Sequence, residues 1–171
     1  MKTTLQREAG PPYALVFDSP LGPLGVRLDG AAVTGIDYLP ASSTPAVDDS
    51  VAARRVARAL SRYFADARRP FDLPVQLAGT DFQQRVWQAL QAIPPGQTLS
   101  YGELARRLGT GARAVGNACR HNPVPVIVPC HRVVSSNGAG GYAGTLSGRP
   151  LQRKHWLLAH EGIVLKDLKK R

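Results

Sequence analysis

The hydrophobic period of the chain changes along its length, and that change limits what it can fold into. Up to about residue 39, apolar and polar residues alternate. YALVFD, LGVRLD and AVTGIDYL read as short strands, because alternate side chains of a strand face the same side. Asp29-Gly30 marks a hairpin, since Gly accepts the positive φ of a tight turn, and Ser19-Pro20-Leu21-Gly22-Pro23 marks another turn. Such a meander is not stable alone and needs a helix on one face. The helix is predicted over about 51–67. There Val51, Val56, Leu60, Tyr63 and Phe64 fall on one side, with Arg54, Arg55, Arg58 and Arg62 off it. Residues 41–50 read as a loop. FDLPVQL reads as an extended connection to Gly79, where a domain boundary is placed.

From Thr80 onward the period is helical. Thr80-Asp81-Phe82-Gln83 is a capping-box pattern, followed by the apolar stripe Phe82, Val86, Leu90, Ile93 and the stop Pro94-Pro95-Gly96. Ser100-Tyr101-Gly102-Glu103 repeats the capping pattern before LARRLG, with Gly109 as the C-terminal cap. A third helix is expected over about 112–121, ending at Asn122-Pro123. The two short helices with a Gly-bearing turn between them read as a helix-turn-helix or as an ordinary helical hairpin. VPVIVPCHRVV then reads as an extended, buried run, with Pro125 and Pro129 excluding a central strand. A loop is expected over 135–150, a last helix near 151–160 capped by Gly162, and a frayed tail.

Charge sharpens the division at Gly79. Residues 1–79 carry 9 Lys/Arg against 8 Asp/Glu, whereas residues 80–171 carry 13 against 4. The back half is therefore the candidate polyanion-binding half, against the plainer reading of a solvated basic surface. No apolar run is long enough to cross a membrane, and the first residues lack the apolar stretch of a secretory signal, so a cytoplasmic protein is expected. The two cysteines, Cys119 and Cys130, make no disulfide framework. No Cys or His precedes Cys119, so no structural metal is expected. No cofactor is expected either.

The chemistry centres on Pro129-Cys130-His131-Arg132. A thiol becomes a strong nucleophile only when it loses its proton. A nearby imidazole can take that proton, directly or through a water, and a carboxylate can hold the imidazole in the required tautomer. Glu161 is the best candidate, because Glu103 is used in a cap, Asp81 sits at a helix start and Asp167 lies in the tail. Neighbouring strand residues point to opposite faces, so a Cys130–His131 pair requires a turn at Pro129. The plainer reading of Cys130 is a small buried side chain.

The stretches FQQRVWQALQAIPPGQTLSYGELARRLG, ARAVGNACRHNPVPVIVPCHRVV and the GY…LLAHEG ending, which cover nearly all of residues 80–163, resemble the O6-alkylguanine-DNA alkyltransferase (methylated-DNA–protein-cysteine methyltransferase) family in order and spacing. The front half matches more weakly, through DSPLGPL and its strand pattern. The resemblance implies an α/β N-terminal domain over 1–79, a small antiparallel sheet plus helix of ribonuclease H-like kind. It implies a mostly α, winged helix-turn-helix domain over 80–171.

It further implies direct-reversal repair: one irreversible transfer of a methyl or alkyl group from O6-alkylguanine (and O4-alkylthymine) in flipped-out duplex DNA to Cys130. His131 would be the base through a water, Glu161 its orienting partner, and Asn122 a holder of the array. Tyr101 would donate to the departing purine. Tyr142, Cys119 and the carbonyls of Cys130 and Val133 would form the guanine pocket. Arg113 would fill the space the base vacates. Ala112, Ala114, Gly116 and Arg120 would meet the minor groove of double-stranded DNA, bound by a monomer, nucleoid-associated when on DNA. Without the family, Asn122 is a helix terminator, Tyr101 a core residue and Arg113 one more phosphate contact. The alternatives are a non-transferring lesion-binding protein, which would lack the acceptor cysteine, a Cys-His hydrolase and a plain DNA-binding regulator. Gly141-Tyr142-Ala143-Gly144-Thr145 departs from the family's usual GYxGG, and the loop after it is longer.

Overall fold

The structure is a computed structural model and describes residues 12–141 and 144–164. Three front strands form where the alternation places them: β1 (Leu15–Phe17), β2 (Leu24–Asp29) and β3 (Ala32–Tyr38). A fourth, β4 (Ala46–Val47), lies in the segment read as a loop and pairs with β1. It is two residues long and carries no period for a sequence to show. The sheet is antiparallel in the order β3-β2-β1-β4.

Helix α1 (Val51–Ala65) covers the sheet as required. The Ser50 side chain caps it, accepting the Ala53 amide at 3.0 Å. Its buried side is Ala53, Val56, Ala59, Leu60 and Tyr63; Val51, placed on that side from sequence, is exposed.

In the back half, α2 (Asp81–Gln91) and α3 (Tyr101–Leu108) both start with complete capping boxes. Gln83 accepts the Thr80 amide at 2.9 Å, and Glu103 accepts the Ser100 amide at 2.7 Å. Gly109 ends α3 at φ 64°, a conformation that costs a residue with a Cβ. Helix α4 (Ala112–Arg120) follows at once and is locked to α2 by the buried Trp87, whose Nε1 donates to the Ala118 carbonyl at 2.9 Å. A Cβ on Gly79 would lie 2.5 Å from the Trp87 ring, so the predicted boundary residue is also a close-packing point. One continuous apolar cluster runs from Leu15, Val26 and Leu60 through Trp87 and Val115 to Val133.

Two expectations need correction. Residues 124–128 are not extended: they form a buried turn closed by the Val128 amide donating to the Val124 carbonyl at 2.9 Å. Val126 has φ 74°, which is unfavourable for a β-branched side chain. Its full burial against Tyr63 and Leu157 holds it there. The last helix, α5 (Gly148–His160), begins three residues before the expected start. Pro150 is accepted in its first turn, where an amide has no intrahelical partner to lose. Before α3 and after the Cys-His turn, β5 (Leu99–Ser100) and β6 (Val133–Val134) form a short parallel pair that the sequence pattern does not signal.

Candidate active site

The turn required at Pro129 is present. Cys130–Arg132 form a single 3-10 turn, with the Arg132 amide donating to the Pro129 carbonyl at 3.0 Å. Cys130 and His131 are therefore not forced to opposite faces. Both are buried, Cys130 at 6% exposure and His131 at 0%.

Glu161 sits at the C-terminal cap of α5 and gathers the polar groups beneath the turn. Its Oε1 lies 2.8 Å from His131 Nε2, and it accepts from the Tyr63 hydroxyl at 2.8 Å and from Arg132 Nη2 at 2.9 Å. Its Oε2 accepts Arg132 Nε at 2.9 Å and the Gly96 amide at 3.4 Å. Burial alone would raise the Glu161 pKa, but hydrogen bonds from His131 and Arg132 outweigh it and hold the carboxyl well below its usual range. An ionised carboxylate only accepts, so His131 Nε2 must carry the hydrogen between them. Burial lowers the His131 pKa against the pull of Glu161, which favours the neutral ring. The Nδ1 lone pair then remains. Nδ1 is buried and has no protein hydrogen-bond partner among the described residues.

A cavity of about 240 Å³ opens onto Cys130 and is lined also by Tyr101, Gly116, Cys119 and Arg120. Helix α3 supplies Tyr101 at its first residue, and α4 supplies Gly116, Cys119 and Arg120. The Tyr101 hydroxyl donates to the Gly141 carbonyl at 3.4 Å, and burial, with Cys119 and Cys130 nearby, raises its pKa. Burial, with Cys130 nearby, likewise raises the Cys119 pKa well above the ordinary thiol range, which suits an inert filler. Asn122 bonds to the backbone of the 124–128 turn, donating to the Val128 carbonyl at 2.8 Å and accepting the Val124 amide at 3.0 Å. It thus braces the segment leading into Cys130. Ala112, Arg113 and Arg120 are exposed on α4, with Ala114 and Gly116 half-buried. Tyr142 lies outside the described residues.

Three site residues escaped the sequence reading. Tyr63 was assigned to the core and Arg132 had no role, yet both bind Glu161. The third is Lys154, fully buried on α5, whose Nζ donates to the Val133 carbonyl at 2.7 Å and the Gly141 carbonyl at 2.9 Å and lies 3.5 Å from the Tyr101 hydroxyl. Burial lowers its pKa to about 8, against the pull of Cys130 and Cys119. A signal was available: Lys154 precedes Leu157, Leu158 and Glu161 by three, four and seven residues, the spacing of one helix face. No helix among the described residues is long and apolar enough to cross a membrane.

A family model described as "6-O-methylguanine DNA methyltransferase, DNA binding domain" matches residues 81–163. A methylated-DNA–protein-cysteine methyltransferase of Mycobacterium tuberculosis is 44% identical over 138 residues, covering 77% of this chain and 84% of that one. A protein of the same name from Methanosarcina acetivorans is 39% identical over 158 residues, covering 88% and 98%. Among solved structures, the OGT protein of M. tuberculosis in complex with DNA superposes with a TM-score of 0.73 at 44% identity, covering 85% of this chain and 90% of that one.

Proposed function

Because the chain belongs to the methylated-DNA–protein-cysteine methyltransferase family, we infer that it binds DNA and repairs O6-alkylguanine by direct reversal, with Cys130 as the acceptor. His131 Nδ1 takes the thiol proton, directly or through one water. Cys130 Sγ then attacks the alkyl carbon in line with the C–O6 bond. The S–C bond forms as the C–O6 bond breaks, and the electron pair leaves on the guanine. The thiol proton ends on the restored base, and the thioether on Cys130 does not reverse. One protein molecule therefore acts once.

The observation that carries this reading is the tautomer lock. Glu161 fixes the hydrogen of His131 on Nε2 and leaves Nδ1 as the only ring atom able to accept a proton. The lesion must leave the base stack to reach a buried sulfur. The cavity shared by Tyr101, Gly116 and Cys119 receives it, Tyr101 donates to the departing purine, and the Cys130 and Val133 carbonyls read the guanine amino group. Lys154 fixes one lone pair of the Val133 carbonyl and leaves the other for the base.

Helices α3 and α4 act as a winged helix-turn-helix behind a ribonuclease H-like front unit, with the division at Gly79. Arg113 fills the vacated base position, and Ala112, Ala114, Gly116 and Arg120 face the minor groove of a duplex bound by a monomer. The acceptor cysteine argues against a module that only binds lesions.

The test is intact-protein mass after mixing with a duplex bearing one O6-methylguanine. One methyl replaces one hydrogen on Cys130, and Cys130→Ala binds the duplex without gaining mass. An unchanged mass with Cys130 still a thiol overturns the assignment.

A further inference from the structure

The near-neutral charge of the front half conceals a local excess. Between Val51 and Pro70 the chain carries Arg54, Arg55, Arg58, Arg62, Arg68 and Arg69 against one acid, Asp66. All six arginines are exposed. Helix α1 itself contains four of them and no acid. At 100° per residue, Arg54, Arg58, Arg62 and Arg55 occupy an arc of about 100° opposite the buried face. Arg54, Arg58 and Arg62 follow each other at i, i+4 and i+8, a column of like charges rising about 12 Å.

Like charges at this spacing destabilise a helix, so the fold gains nothing from the column by itself. Neighbouring groups relieve only part of the charge on this stretch. Arg54 donates to the Asp49 carbonyl at 2.6 Å, and Arg55 lies 3.5 Å from Asp72 Oδ2. Asp66 takes Arg68 and Arg69. Arg58 and Arg62 have no ion pair or side-chain hydrogen bond among the described residues. Helix α1 packs on β1 and β4, apart from the α3–α4 pair assigned to the lesion site.

We propose that this arginine column on α1 is a second DNA contact, gripping the phosphate backbone outside the footprint of α3 and α4. This rests on the DNA-repair reading above. A rigid column of guanidinium forks suits a row of phosphates, one for about every 3.4 Å of duplex axis on each strand, and needs no particular base sequence. Such a contact helps a protein that must meet a rare lesion on any sequence, because it adds affinity that does not depend on sequence.

The test uses the full chain and fluorescent undamaged duplexes, with affinity measured over a series of salt concentrations. Arg58→Gln/Arg62→Gln should make the slope of log affinity against log salt shallower by about 1.8, two phosphate contacts at 0.9 each. Arg58→Lys/Arg62→Lys should restore most of it. Loss with a long duplex only means that one duplex reaches both surfaces; loss with a short duplex as well means a second molecule is held. Transfer from free O6-methylguanine base should match the parent protein, which separates a DNA-contact defect from misfolding. A parent protein that fails to transfer at all sinks the repair reading and leaves the slope measurement intact. An unchanged slope overturns the proposal, and an unchanged slope with lost binding to phosphatidylserine vesicles assigns the column to a membrane surface instead.

Discussion

Two carboxylates in this molecule each gather cations, and they differ in almost everything that matters. Asp66, at the end of α1, lies 2.9 Å from Arg68 Nε and 3.8 Å from Arg69 Nε, with those arginines 89% and 68% exposed. Glu161, at the end of α5, holds Tyr63 and His131 at 2.8 Å and Arg132 at 2.9 Å with its own side chain wholly buried. Water can replace any partner of Asp66. None of the partners of Glu161 can be replaced without leaving a charge or polar group desolvated. The contacts look alike; their dependence on each other does not. The buried set is what gives His131 a single tautomer.

The largest effect expected from breaking that contrast is at Glu161. Glu161→Ala leaves Arg132 buried without its carboxylate, which costs about 3–5 kcal/mol and should show as a large drop in melting temperature. Glu161→Gln keeps the volume. It should retain more stability yet slow transfer strongly, because an amide can donate to Nε2 and so permit the wrong tautomer. If Glu161→Gln transfers at the parent rate, the tautomer lock is not what activates Cys130.

Acid probes the same set without mutation. Glu161 has a folded pKa below its unfolded value of 4.5, so its contribution is present above that pH and lost as pH falls toward the folded value. His131 also has a folded pKa below its ordinary 6.5, so the unfolded state binds more protons and stability falls as pH drops from 6.5. Both push in one direction. Denaturation midpoints measured from about pH 4.5 downward, where Glu161 itself begins to lose its contribution, should fall more steeply for the parent than for Glu161→Gln.

Lys154 comes next. Its folded pKa of about 8 lies below the unfolded 10.5, so the unfolded state holds more protons between the two. The parent should therefore gain stability relative to Lys154→Met as pH rises from about 8 to about 10.5, by up to about 3 kcal/mol. A constant difference between the two proteins across that range would show that the ammonium is not desolvated. The smallest effect belongs to the exposed carboxylate. Asp66→Ala should leave both melting temperature and transfer close to the parent, and a drop as large as that of Glu161→Ala would erase the distinction between the two sites.

Much of this was legible before folding because it is local. The capping boxes at Thr80–Gln83 and Ser100–Glu103 close over three residues, and Gly109 answers a steric demand of its own backbone. The need for a turn at Pro129 followed from the geometry of adjacent residues, and Glu161 was reached because the back half offers few acids. The buried turn at 124–128 was misread as extended. Its apolar run has the same composition in either form, and only packing against Tyr63 and Leu157 selects the positive φ of Val126.

What the amino-acid order determined alone was the two periods, the helix ends and the one cysteine set between a proline and a histidine. Those rest on short-range sterics and hydrogen bonds. Tertiary structure decided which polar groups share a buried space: Tyr63 meets Glu161 across 98 positions, and Lys154 reaches the Val133 carbonyl from 21 positions away. Such partners are chosen by desolvation, which makes a polar group find whatever packing has brought near, and no local pattern carries that information.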